Sequence, residues 1–316
     1  NEEAVAFIKA YLRYNAIKTY LKTFVEGIEK NLDYSDRIHP QFMQCVTSTG
    51  RLSSRNPNFQ NMPRGKTFPV RRAVVSRFEG GKILEGDYAQ LEYRVAGYLS
   101  QDKHVYENVK GGVDVHNLTA TIITGKDKED ITSEERQNAK AHTFAPLYGA
   151  TGMGLPEHVH RYYYQFTEVY PGIGEWHDRL AQEALKYKVV SLPSGREYRF
   201  PYVKRTARGI THGTSVKNYP VQGFATADLL PSALVLTFEE FKKKKLKSLL
   251  CNTVHDSIVV DVHPDEEDQV IETVKECMLS IPQQAKRRWG IEYDMPVGIE
   301  IKIGSNWLDT KEIFSN

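Results

Sequence analysis

The sequence predicts an α+β fold, a mixed core that carries an inserted helical subdomain. Two observations lead there. Apolar runs of strand length lie near residues 82–88, 250–262 and 296–303. Between the first two, residues 114–190 read mostly as helix. Strands, then inserted helices, then strands again is the order expected of a mixed core with a helical insertion.

Taken in chain order, residues 3 to about 31 place Val5, Ile8, Leu12, Ile17, Leu21, Phe24, Val25 and Ile28 at helical spacing, a long amphipathic helix. This helix starts in mid-pattern at residue 1, an Asn, so the chain reads as a piece of a longer protein. Residues 34–78 are rich in Pro, Asn, Ser and Arg and read as loops with short strands. "GKILEGDYA" reads as a strand ending near Asp87, and "QLEYRVAGYLS" continues at helical spacing. "VVSLPSGREYRF" reads as a hairpin around Ser194-Gly195. A helix is predicted from about Thr226 to Lys247. In "CNTVHDSIVVDV" two apolar strands then meet at His255-Asp256. Asp265 is placed to cap the helix after Pro264, and "VGIEIKIG" closes the chain as an alternating strand.

At 316 residues, 40% hydrophobic and 26% charged, the chain has the composition of a globular protein. No apolar run approaches the roughly 20 residues of a membrane span, so no membrane partner is expected. Cys45, Cys251 and Cys277 are odd in number and unevenly spaced, which argues against a disulfide framework or a zinc site. The net charge is only +2, yet residues 51–72 carry six Lys/Arg and no acid, and residues 196–217 carry six against Glu197 alone. Such blocks can follow a polyanion, or can be ordinary solvated surface.

Asp256 sits at the bend between two buried strands and Asp87 at the end of another. Taken alone, Asp87 reads first as a strand-end cap and Asp256 as a turn residue. If the strands are neighbours, the two carboxylates meet and repel, unless divalent cations neutralise them. Oxygen-only ligands suit Mg²⁺, and a pair of such ions suits phosphoryl transfer. "RQNAKAHTFAPLYG" then places Arg136, Lys140, Phe144 and Tyr148 four apart. On one helix these form a stripe, cationic at one end and aromatic at the other, able to hold a triphosphate and a nucleoside. Basic residues in a first helical turn oppose the helix dipole, a weak sign of an anionic ligand.

These segments resemble the polymerase module of the family A DNA polymerases, the bacterial DNA polymerase I group and its phage relatives. "DYAQLEYRV" is similar to their first motif, "RQNAKAHTFAPLYG" to their fingers-helix motif and "VHDS" to their third motif. "TSTGRLSSRNPNFQNMP", "DVHNLTA", "NYPVQGFATADL" and "GSNWLD" match further family segments in the family's order. The resemblance runs from about Tyr34 to the C-terminus. It implies a right-hand polymerase palm, an antiparallel sheet with flanking helices, carrying an inserted helical fingers subdomain. Residues 1–33 would be a helix at the base of a truncated thumb, 34–94 the first part of the palm, 95–220 the fingers and 221–316 the second part of the palm.

The resemblance also implies roles. Asp87 and Asp256 would hold two Mg²⁺ ions, helped by the backbone carbonyl of Tyr88. Arg136, Lys140 and His116 would contact the triphosphate, with Lys140 the general acid for the leaving pyrophosphate. Phe144 and Tyr148 would lie against the incoming nucleotide. Gln90 and Glu92 would line its sugar, Glu92 barring a 2′-hydroxyl. Arg51, Gln60, Asn61, Asn218, Gln222 and His255 would contact primer–template DNA. The implied partners are primer–template DNA and deoxynucleoside triphosphates. The implied form is a monomer, alone or within a longer polypeptide or replisome, in the cytoplasm of a bacterial or phage-infected cell. No early Asp-x-Glu points to an exonuclease, so proofreading by this chain is not expected.

Three departures stand out. Ser257 replaces the Glu usual after His-Asp, Thr143-Phe144-Ala145 replaces Asn-Phe-Gly, and Pro146 falls inside the expected helix. Proline there removes a backbone bond and clashes with the carbonyl of His142, so a kink is expected near Phe144. Ser257 fits a second reading, a single-subunit RNA polymerase, whereas Gln90, Glu92 and Phe144 fit the deoxynucleotide enzymes. A third reading is an inactive module that binds nucleic acid. Primer extension with deoxynucleotides and ribonucleotides in turn separates the three.

Overall fold

The computed structural model describes residues 2–65, 67–207 and 209–316. Lys66 and Arg208, one from each basic block, lie outside the described residues. The chain divides into two compact units. One comprises Asn1–Asp87, Leu234–Met278 and Ile299–Asn316, the other Tyr88–Ala233 and Leu279–Gly298.

The first unit is built on a five-stranded sheet. Its order is Thr310–Ser315, Ile299–Gly304, Lys82–Tyr88, Ser257–Val262, Leu249–Val254. The hairpin read from the sequence is present, with Val254 opposite Ser257 and the turn at His255-Asp256. Lys82–Tyr88 runs antiparallel to Ser257–Val262, with Asp87 opposite Ser257 and Glu85 opposite Val259. Apolar runs dominate here because the central strands are covered on both faces, and Ile83, Leu84, Ile258, Val259 and Val260 are at most 1% exposed.

Alternation along the strands sorts the two faces. Leu84, Gly86, Ile258 and Val260 share one face. Gly86 there approaches the helix Glu267–Leu279 so closely that a Cβ would lie 2.6 Å from Met278 Sδ. Ile83, Glu85, Asp87 and Val259 share the other face, where Ile83 and Val259 pack with Phe59, Met62 and Trp307. One strand thus has a helix behind it and carboxylates in front.

Several boundaries differ from the sequence reading. The chain closes on a further strand, Thr310–Ser315, folded back antiparallel on Ile299–Gly304. The first helix, Glu2–Tyr20, continues through a π turn, Leu21–Val25, into Glu26–Glu29. Its apolar positions are helical, but none of Glu2–Tyr20 is buried. Asp265 does not cap its helix; its backbone N–H donates to His263 Nδ1 in the turn Pro264–Glu266.

The second unit is mostly helical, with Leu91–Ser100, Lys103–Lys110, Val115–Thr124, Ser133–Thr143, Glu157–Val169 and Pro171–Tyr187. Tyr93, Tyr162, Phe166 and Tyr170 are buried in it. The hairpin at Ser194-Gly195 pairs Val189–Ser191 with Glu197–Arg199. The helix expected from Thr226 begins earlier, and Gly213–Lys243 is continuous through Pro220 and a π turn at Gly223–Leu229. By length and composition this helix could cross a membrane, but 61% of its apolar window is buried, as in the core helix of a folded domain.

Candidate active site

The sheet of the first unit brings Asp87 and Asp256 together. Asp87, next to last in its strand, lies opposite Ser257, one residue past Asp256. The Asp256 carboxyl is held well above the ordinary carboxylate range, first by burial, then by the charge of Asp87 and a hydrogen bond shared with it, against the opposing pull of Arg64. Asp87 Oδ1 is buried and has no hydrogen-bond partner. A buried carboxylate oxygen without a donor is costly unless a cation meets it. Among the described residues no three metal-ligating side chains converge. Two carboxylates with oxygen-only chemistry still fit Mg²⁺, which is typically bound through one or two carboxylates plus substrate phosphates.

The raised Asp256 carboxyl gives a stability prediction. Its folded pKa lies above its unfolded value, so its contribution is fully present below the unfolded value. It is lost as pH rises, levelling off once the folded group has ionised. Asp256→Asn should therefore raise the melting temperature in EDTA, with a gain that grows from about pH 4 upward and then flattens. A gain independent of pH, measured over the same range, would remove the like-charge account.

Arginines surround the pair. Arg64 spans Asp87 Oδ2 at 3.4 Å and Glu85 Oε1 at 3.5 Å. Arg71, only 3% exposed, donates to Met62 O at 3.0 and 3.2 Å and lies 3.7 Å from Glu85. Its guanidinium carbon sits 3.9 Å from the Trp307 ring centroid. Arg72 pairs with Asp309 at 2.8 Å. Three basic residues of the block at 51–72, Arg64, Arg71 and Arg72, thus have acidic partners within the chain. Gln60, Asn61 and His255 do converge, lining one cavity with Arg64, Arg71 and Val254. Gln60 is fixed there by its bond to Thr253 O at 3.1 Å. The charge of Arg51 reaches His255, whose pKa is lowered chiefly by burial. Ser257 is fully buried and donates to Val254 O at 3.0 Å, within the turn.

The second unit holds the other residues. Ser133–Thr143 opens with a Thr132–Glu135 capping box and acidic residues in its first turn. Arg136 and Lys140 therefore lie beyond that turn, and the dipole argument for an anionic ligand does not apply. Arg136 Nε donates to Asp114 Oδ2 at 2.5 Å, while Lys140 is exposed. Asp114 itself caps Val115–Thr124 by accepting from the backbone of His116 and Asn117. The burial of His116, with Lys140 and Arg136 nearby, lowers its pKa against the pull of Asp114. Its Nδ1 lies 3.0 Å from Thr143 Oγ1. That hydroxyl donates to Ala139 O, so it accepts from His116 Nδ1–H.

The four-residue stripe does not lie on one helix. Thr143 is the last helical residue and Phe144 the cap, and Pro146 opens a separate 3₁₀ turn, Pro146–Tyr148. Pro146 has no N–H for the His142 carbonyl, which accepts from Ala145 N instead at 3.1 Å. Phe144 packs on Tyr93 and His116, with centroids 5.7 and 5.3 Å away. Gly149, at φ +81°, closes the turn in the left-handed region.

That break leaves Tyr148 placed to donate a short hydrogen bond from its hydroxyl to Glu92, in the first turn of Leu91–Ser100. The turn is held from below by His177 Nε2, 3.0 Å from Leu147 O. Burial drops the His177 pKa to about 3, so the ring is neutral and donates. Gln90 precedes the Glu92 helix in a left-handed conformation, at φ 52°. Tyr88 is 3% exposed. Asn218 and Gln222 lie four apart on Gly213–Gln222, both half-buried.

Sequence reasoning missed Arg64, Glu85, Asp114 and His177. Glu85 was within reach, because a residue two before Asp87 on a strand shares its face. Asp114, followed by an apolar helical run, is a capping signature. Arg64 and His177 act over distances that no local pattern encodes.

A model of the family described as DNA polymerase family A matches residues 1–309. Among curated proteins, DNA polymerase I of Lactococcus lactis is 32% identical over 315 residues, covering 95% of this chain and 34% of that protein. DNA polymerase I of Aquifex aeolicus is 32% identical, covering 96% of this chain and 51% of its own length. The chain thus spans from about a third to half the length of these relatives. Among solved structures, the polymerase domain of Pol1 from M. smegmatis, in complex with a DNA primer-template and a dNTP, superposes with a TM-score of 0.80. It is 26% identical and covers 92% of this chain and 52% of that one.

Proposed function

The chain belongs to DNA polymerase family A, and on that premise we propose that it is the polymerase module of a template-directed DNA polymerase, adding deoxynucleoside triphosphates to a primer 3′ end. The observation that carries this reading is the meeting of Asp87 and Asp256 at neighbouring strand ends, with Asp87 Oδ1 buried and unpartnered. Asp87 and Asp256 would hold the divalent ions, two Mg²⁺ in this proposal. Such ions neutralise charge on the attacking and leaving oxygens of an in-line phosphoryl transfer.

The chain's own residues supply the rest. Lys140 binds the triphosphate and donates a proton to the leaving pyrophosphate. Arg136 exchanges Asp114 for a phosphate oxygen. His116, neutral and with Nδ1–H committed to Thr143, offers Nε2 as a donor to phosphate only when protonated. Phe144 and Tyr148 lie against the nucleotide, and Glu92 excludes a 2′-hydroxyl. Catalysis of this kind is mostly positioning and charge stabilisation. Ser257 keeps a ribonucleotide enzyme as the second reading. Primer extension with each nucleotide class in turn decides: extension with ribonucleotides alone would overturn the first reading.

Duplex binding should depend on salt and little on base sequence, since phosphate contacts carry no base information. With Arg64, Arg71, Arg72 and Arg196 engaged in internal pairs, a log–log salt plot should have a slope of only about −2 to −4, corresponding to about two to four phosphates. A flat plot, or strong preference for one duplex, would count against phosphate-led binding.

A further inference from the structure

The turn Pro146–Tyr148 of the second unit is held by more than its own backbone. Its internal bonds run to the carbonyls of Ala145 and Pro146. Tyr148 N and Ala150 N donate to Ala145 O at 3.2 and 3.0 Å, and Gly149 N donates to Pro146 O at 2.8 Å. The next carbonyl, that of Leu147, is served from outside, by His177 Nε2 at 3.0 Å. A carbonyl oxygen can only accept, so Nε2 carries the proton. His177 stands on the helix Pro171–Tyr187 and is 6% exposed. Leu147 is 1% exposed, so water has little access to replace that donor.

The Leu147 carbonyl and the Tyr148 N–H belong to one planar peptide group. That plane is pinned at both ends, at its oxygen by His177 and at its nitrogen by Ala145 O. A third contact closes the flank towards the helix Gly213–Gln222, where a Cβ on Gly149 would lie 2.7 Å from Lys217 Cδ. Tyr148 leaves the pinned plane, and its hydroxyl, at the far end of the ring, donates to Glu92. A small tilt of the peptide is therefore magnified at the hydroxyl. Hydrogen bonds weaken steeply once distance and angle depart from their optimum.

We propose that His177 is a positioning residue for sugar choice: by donating to the Leu147 carbonyl it holds the peptide that carries Tyr148, and through that hydroxyl the carboxylate of Glu92. The proposal rests on the placement of the incoming sugar beside Glu92. A core histidine that merely satisfied a carbonyl would contribute stability and nothing else.

Single-nucleotide extension by the 316-residue chain, with a deoxynucleotide and its ribonucleotide counterpart, tests it. His177→Leu removes the donor. It should lower the ratio of kcat/KM, deoxynucleotide over ribonucleotide, on the order of three- to tenfold, with the ribonucleotide's kcat/KM rising. A merely destabilised enzyme would lose both together. His177→Gln, whose amide nitrogen can reach the same carbonyl, should restore most of the ratio. If His177→Leu fails to fold, His177→Met fills the space with a more adaptable side chain and removes the donor equally. In a Tyr148→Phe background the His177 substitution should change the ratio no further, because the bond it positions is already gone. An unchanged ratio in His177→Leu, or an equal fall in both backgrounds, overturns the proposal. Glu92→Ala, run alongside, separates two failures. If it collapses the ratio while His177→Leu does not, the sugar placement stands and the role of His177 falls. If neither moves the ratio, the sugar placement falls and takes this proposal with it.

Discussion

Asp256→Ala should abolish primer extension while leaving duplex affinity nearly unchanged. The expected loss in single-turnover rate is on the order of a thousandfold or more, because metal-assisted charge stabilisation contributes several kcal/mol and each 1.4 kcal/mol is a factor of ten. The reason lies in the turn. Asp256 sits in the turn between two strands of the sheet, and its carboxyl shares a hydrogen bond with Asp87. Removing it leaves one carboxylate where the proposed metal-held chemistry needs two. The phosphate contacts expected to hold duplex DNA come from other side chains, so binding should survive. Rapid-quench extension and a duplex titration measure the two quantities separately. A variant that still extends at near the wild-type rate sinks the metal assignment, and one that loses duplex affinity equally shows that the fold was damaged instead.

The second large effect concerns sugar choice. The hydroxyl of Tyr148 donates to Glu92, so the carboxylate is held in one position. If the sugar lies against that pair, a 2′-hydroxyl meets the Glu92 side chain and is buried with poor partners, the latter at a cost of about 1–3 kcal/mol. Steric overlap adds to this. Discrimination of roughly a hundredfold or more is the expected result, at 1.4 kcal/mol per factor of ten. Glu92→Ala should collapse the ratio of kcat/KM for a deoxynucleotide over its ribonucleotide. Tyr148→Phe, which removes only the donor, should lower it by a smaller factor. If the unmodified protein prefers ribonucleotides, Ser257 was the better guide and the DNA polymerase reading fails. If Glu92→Ala leaves a deoxynucleotide preference intact, the sugar sits elsewhere.

The parts of this site that were legible in the sequence are those made by local pattern. Two apolar runs around His255-Asp256 read as a hairpin because strand and turn signals are short-range. The strand to Asp87 read correctly for the same reason. The helix carrying Arg136 and Lys140 was legible in type but not in extent. Its start was misjudged because the Thr132–Glu135 capping box went unread, and its end because Pro146 opens a turn of its own and does not merely bend the helix. The long helix was read as starting near Thr226, but it begins at Gly213 and runs through Pro220, a residue that normally breaks helices, with a π turn following it directly. What no window could supply was the pairing of Tyr148 with Glu92, the guanidinium of Arg64 across Glu85 and Asp87, or the hold of His177 on the turn. These contacts depend on tertiary placement, joining partners 56, 23 and 30 positions apart in the sequence.

The close approach at Gly86 ties the ageing of this protein to its packing. Met278 is fully buried against the strand that carries Asp87, with no room behind it even for a Cβ on Gly86. Oxidation of its thioether would add an oxygen and turn an apolar filler into a polar one. The added atom has nowhere to go except against the strand, so the damage would be felt at the carboxylate one residue away. Peroxide cannot reach a fully buried sulfur until the helix Glu267–Leu279 opens. The rate of oxidative loss of activity through this residue is therefore set by that opening, not by the concentration of surface methionines, and it should rise steeply under any condition that loosens the helix from the sheet.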